Sequence, residues 1–205
     1  MTEGPGRASA GAMERTVMSA DWNGREISGE HHHRVLFQEV DMTELTDHGS
    51  VFEECRFEGV RFNVSAHEDA SFAGCVFSHC SFFDATFTGC KLTGATFVNC
   101  TFGLLKATGG DWSYTSLARA DLRGSTFHGV RMREADLSGA RLEKSALRSC
   151  DLSGALLREA DLTKCDLRGS DLGTLHPAEV TLKDTRIDPA QAVAVAAALG
   201  FDVRK

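Results

Sequence analysis

From Trp22 to Ile187 a large apolar side chain returns every fifth residue without a change of phase. Of the 34 positions in that register, only His32, Asp47, His67, Ala107 and Pro177 are not large and apolar. A period of five fits neither the 3.6 of a helix nor the 2 of a strand, so the chain has to be read as an internal repeat. Two residues before each large position stands a small or β-branched one, as at Cys55, Val60, Ser65, Ala70, Cys75 and Ala85, and the other three places are mostly polar or Gly. One such unit cannot bury its apolar residue alone. Successive units must stack into a solenoid with a continuous core.

Stretches such as Ala120-Asp121-Leu122-Arg123-Gly124 and Ala135-Asp136-Leu137-Ser138-Gly139 resemble the pentapeptide-repeat family, over about 80% of the chain. Periodicity alone leaves three or four sides open; the resemblance implies an all-β, right-handed quadrilateral parallel β-helix, with four units to a coil and a turn at the Gly-rich fifth place. At ~4.8 Å per coil, about 8.3 coils give a rod roughly 40 Å long. Residues one coil apart then stack, so Phe37, Phe57, Phe77 and Phe97 form a ladder that Leu117, Leu137 and Leu157 continue. Asp47 and His67 share another ladder in adjacent coils and are expected to satisfy each other by hydrogen bonding. The Leu104 to Gly110 segment inverts the unit, with Leu105 at the small place and Ala107 at the large one. Volume is conserved there, and this is where the rod is expected to distort.

The ends lack the repeat. Residues 1–20, with Gly4, Pro5, Gly6 and Gly11, read as a flexible leader, residues 21–187 as the solenoid, and residues 188–205 as a C-terminal helix and tail. Asp188 at the cap, Pro189 at the first helical place and Gly200 past the end mark the helix. So short and apolar a helix must pack, either over the open end of the solenoid or between two copies across a twofold axis. Val193, Val195, Ala196, Leu199 and Phe201 are the residues expected in a homodimer contact. In the gyrase-protecting branch of the family a C-terminal helix carries such a contact, and this tail resembles it.

No apolar run reaches the ~18–20 residues of a membrane span and no signal-peptide core is present, so the expectation is a cytoplasmic protein without membrane contact. All seven cysteines occupy the small place of the unit, which reads as packing and not as disulfides or a metal site. No phosphate-binding loop, nucleophile elbow or paired metal-ligand spacing occurs, so neither an enzyme nor a cofactor is expected. His31-His32-His33 would alternate in direction along an extended side, which is poor chelating geometry.

Charge separates the two halves. Residues 21–90 hold 13 acids and four bases, whereas residues 91–187 hold 12 acids and 14 bases. In the second half outward charges alternate coil by coil, as in Asp111, Arg131, Asp151 and in Asp121, Arg141, Asp161, and largely neutralise one another. The first half carries about one net negative charge per ~1.9 Å of rod, against one per ~1.7 Å of duplex DNA. A rod with that charge density suits a protein groove built for DNA, without itself touching nucleic acid. Asp41, Glu44, Glu53, Glu54, Glu58, Glu68 and Asp69 are the candidate acidic surface, expected to lack partners in neighbouring coils. Members of the family that bind DNA gyrase and relieve fluoroquinolone inhibition are dimeric rods with a C-terminal helix. The unbroken phase, inward His67 and the Asp188 to Val193 tail resemble its mycobacterial fluoroquinolone-resistance type, which implies DNA gyrase as the partner. A second reading is an adaptor rod that presents Leu36, Val51, Val76, Phe83, Val98 and Leu156 to some other protein.

Overall fold

The computed structural model describes residues 12–204, and in it each five-residue unit is one side of a square coil. Every parallel ladder pairs residues 20 apart. The first face stacks Arg15–Met18, Val35–Gln38, Arg56–Glu58, Val76–Ser78 and Thr96–Val98. The second is a run of single bridges beginning Asp21↔Asp41↔Arg61. The third starts at Glu26–Ser28 and is the longest sheet, with seven strands, and the fourth starts at His31–His33. Four ladders per coil settle the number of sides.

The corners explain the unit's fifth place. Among the described residues nineteen non-glycine residues there have positive φ, including Arg34, Glu44, Val64, Leu104 and Tyr114. A left-handed conformation costs an L-residue about 1 kcal/mol or more. It is held because the corner amide then donates to the next coil, as from Glu39 to the Glu58 carbonyl at 2.8 Å and from Val64 to Phe83 at 2.8 Å. The turn belongs to the stack, and glycine only makes it cheaper.

Inside, Phe37, Phe57, Phe77 and Phe97 stack face to face at 4.8–4.9 Å. Six cysteines are buried and Cys100 half-buried, all as free thiols. Burial pushes the Cys90 thiol up to about 12 and Cys150 to about 11, so neither ionises near neutrality. Ala107 sits between Phe87 and Phe127 in its ladder. The missing volume is filled by the indole of Trp112, 5.6 Å from both of those rings and perpendicular to them, together with buried Leu105.

The expected distortion is present, one side earlier than the inverted unit itself. The third-face ladder runs through Lys106–Thr108 in register. On the second face, however, no backbone hydrogen bond joins residues 99–104 to residues 118–124. A gap of about 350 Å³ opens there, lined by Thr101, Phe102, Gly103, Asp121 and Arg123. The Phe82–Phe102 spacing widens to 5.5 Å beside it.

The N-terminal end revises the sequence reading. Residues 1–11 of the expected leader lie outside the described residues. Arg15–Met18, placed in that leader, instead form the first strand, with Val17 packed against the core. Val17 is in the fivefold register one unit before Trp22, but Arg15 at its small place hid the pattern. At the other end the helix spans Pro189–Ala198, closed by a capping box between Asp188 and Gln191. Gln191 is buried and its side-chain amide donates to the Leu167 and Ser170 carbonyls, which locks the helix onto the last coils. Among the described residues no helix is long and apolar enough to cross a membrane.

Candidate binding surface on the acidic coils

The seven candidate acids do not share one face. Asp41 and Glu44 lie on the second face and its corner, Glu68 and Asp69 on the third, Glu53 and Glu54 on the fourth, and Glu58 on the first. Negative charge therefore wraps around the rod, as phosphates wrap around a duplex.

Their partners lie 20 residues away, and three of the seven do have one. Arg61 holds Asp41 at 2.7 Å, Arg34 holds Glu54 at 3.0 Å, and His48 lies 3.2 Å from Glu68. The expectation that all seven lack partners is corrected for these. Glu44, Glu53, Glu58 and Asp69 make no ion pair among the described residues, because Gly24 and Val64, Ala73, Gln38 and Ser78, and Gly49 and Gly89 offer no charge one coil away and His33, below Glu53, lies 3.2 Å from Glu14 instead. The same test adds Asp21, Glu26 and Glu39, which sequence reasoning passed over. In the C-terminal half Asp111–Arg131 and Asp121–Arg141 pair as expected, whereas Asp151 turns to Arg133.

The hydrogen bond from Arg61 lowers the Asp41 carboxyl from 3.8 to about 2. A depressed folded value means that the pair stabilises above the carboxyl's ordinary range and is lost as pH falls towards 2. Arg61→Ala is expected to move the Asp41 titration, followed by carboxyl carbon NMR, back up towards 3.8. An unmoved titration would show that the hydrogen bonds from Thr43 hold it instead.

Asp47 takes no part in this surface. It is fully buried, with Oδ2 3.2 Å from His67 Nδ1 and Oδ1 accepting from the Ser50 amide. Ser65 Oγ lies 3.1 Å from His67 Nε2 and donates to the Phe62 carbonyl at 2.8 Å. Serine, histidine and aspartate thus line up as in a hydrolase, but His67 is stacked on Phe87 at 4.9 Å and walled by Phe62 and Phe72. No substrate reaches the serine, and the chain of bonds satisfies buried polar groups. His31 and His33 are exposed while His32 is drawn inward against Phe52, so the three do not converge. Among the described residues no group of three or more His, Cys, Asp or Glu side chains is arranged for a metal ion.

These features define a four-sided parallel β-solenoid with an acidic N-terminal half and a helix at its C-terminal end. Residues 80–157 match the family model described as a pentapeptide repeat region, and the fivefold register continues on both sides of that match. Among solved structures it is similar to HetL, a pentapeptide repeat protein involved in heterocyst differentiation regulation from the cyanobacterium Nostoc sp. strain PCC 7120. That match has 20% identity and a TM-score of 0.70, covering 85% of this chain and 86% of that one. A trypsin-treated form of QnrB1, a plasmid-mediated fluoroquinolone resistance protein, matches with 21% identity and a TM-score of 0.42, covering 95% and 99%. Rfr23 from the cyanobacterium Cyanothece 51142 matches with 17% identity and a TM-score of 0.31, covering 82% and 91%. No curated protein sequence matches the chain.

Proposed function

We propose that this protein is a non-enzymatic DNA mimic that binds DNA gyrase in the cytoplasm, modulating the enzyme and protecting it from quinolone-type or other topoisomerase poisons. The observation that carries the reading is the set of unpaired acids on all four sides of a rigid rod, Glu44, Glu53, Glu58 and Asp69 foremost. Such a rod matches the field of a duplex and needs no induced fit to do so. The choice of gyrase among DNA-binding proteins rests on the family resemblance of the repeat and the tail. Homodimer formation through the C-terminal end fits the same reading, since Val193, Leu199 and Phe201 are exposed, with Val195 and Ala196 half-buried behind them.

A supercoiling assay with purified gyrase, with and without a fluoroquinolone, tests this. Inhibition at micromolar protein and rescue from the drug are expected. The combined change Glu44→Gln, Glu53→Gln, Glu58→Gln and Asp69→Asn should weaken the effect by about tenfold and flatten its salt dependence. Changing the already neutralised Asp41 and Glu54 should do less. Wild-type protein without effect on supercoiling or on the drug would overturn the reading.

The adaptor reading is favoured by one observation, the exposure of Phe83, Val98 and Leu156, whereas Leu36, Val51 and Val76 are half-buried.

A further inference from the structure

One edge of the rod, the corner between the second and third faces, changes character along its length. Its corner column reads Gly24, Glu44, Val64, Asp84, Leu104, Gly124, Lys144, Lys164 and Asp184, each one coil from the next. Near the N-terminal end Asp21, Glu26 and Glu44 make no ion pair among the described residues. In the middle Val64, Phe83 and Leu104, in three successive coils, are 48%, 52% and 50% exposed. Near the C-terminal end Lys144 and Lys164 stack on one another without ion pairs among the described residues, and the neighbouring Arg148 and Arg168 share the single carboxylate of Asp166. Stacked like charges repel. Lys144 and Lys164 thus lack the alternation that pairs Asp111 with Arg131 and Asp121 with Arg141.

We propose that this edge is a side-by-side, antiparallel contact with a second copy of the chain. A twofold axis crossing the edge midway between the Asp84 and Leu104 coils sets Glu44 of each copy against Lys144 of the other. It brings Asp21 and Glu26 towards Lys164, lays Phe83 against the second copy's Leu104, and puts Val64 opposite Gly124, which has no side chain to obstruct it. The result is an apolar centre flanked by complementary charge, the anatomy of a self-complementary interface. A second copy also matches the basic strip in pitch, since its acids repeat at the same coil spacing of ~4.8 Å.

This contact uses a different surface from the C-terminal helix and goes beyond the gyrase reading. It covers Glu44, so self-association competes with any target of the acidic coils and is favoured at low salt.

The test is self-association of full-length protein carrying Leu199→Glu and Phe201→Glu to remove end-on contact, followed by sedimentation equilibrium and small-angle X-ray scattering at low and high salt. A dimer is expected whose longest dimension stays close to that of one rod and which dissociates as salt is raised. Phe83→Glu should weaken it by about tenfold or more. Glu44→Lys and Lys144→Glu should each weaken it, and the two together should restore it, with unchanged circular dichroism throughout. A monomer at low salt, a dimer of twice the rod length, or association indifferent to Phe83→Glu would overturn the proposal. Gyrase inhibition by the Phe83→Glu protein, which keeps every acid of the proposed gyrase surface, separates a failure of this contact from a failure of the gyrase reading.

Discussion

Gly110→Ala is expected to destabilise the rod by about 3 kcal/mol or more, lowering the melting temperature by roughly 10 °C. Gly110 follows Gly109 with a second positive φ, +79°, and occupies a small place where the register elsewhere carries a side chain. A Cβ built there would fall on the Cys90 carbonyl oxygen and within 2.8 Å of the Cys90 amide nitrogen. Those are backbone atoms of the coil below, held by the Asp111 amide at 3.0 Å, and they cannot give way. Gly24→Ala is the control: φ is also positive, but nothing stands within 4 Å. It should cost about 1 kcal/mol, the cost already met at the non-glycine corners. Equal melting of Gly110→Ala and wild type would show that the coil can shift along the rod.

The second large effect concerns the buried pair. His67→Phe alone strands the Asp47 carboxylate in the core with only the Ser50 amide, and Asp47→Leu alone strands the imidazole. Each is expected to cost about 3–5 kcal/mol. The double variant Asp47→Leu with His67→Phe should be neutral or more stable than wild type by about 1–4 kcal/mol. It extends the apolar ladder from Ile27 to Phe87, and the His67 ring already sits at the 4.9 Å spacing of stacked phenylalanines. A double-mutant cycle by urea denaturation gives the coupling. Additive losses would mean that the two groups do not depend on one another.

The square coil, its ladders and the Asp47–His67 pair were legible because a solenoid converts sequence distance directly into spatial distance. The same rule would have paired Arg34 with Glu54 and Asp41 with Arg61, had each acid been compared with the residue 20 places away and not with its half of the chain. What spacing does not carry is the reach of a side chain across the coil. Trp112 fills the space above Ala107 from the adjoining face, and nothing in the column through Phe87 and Phe127 announces it. The gap beside Phe102 was likewise legible only as a segment expected to distort. Which ladder opens depends on how the misplaced volume of Leu105 and Trp112 is accommodated. Arg15 hid the first strand because it puts an exposed, charged side chain at the small place, where the repeat elsewhere carries a small or β-branched residue.

The open stretch between residues 99–104 and 118–124 bears on cooperativity. Each coil is held only by the coils above and below, so the stability of the whole is a chain of nearest-neighbour couplings, and order propagates along it only as far as the weakest link. Here that link falls where the phenylalanine-rich coils give way to the leucine-rich ones, which is also where the charge changes sign. The acidic coils are thereby expected to unfold as a unit of their own, with fraying that enters from the C-terminal end meeting a boundary before it reaches them.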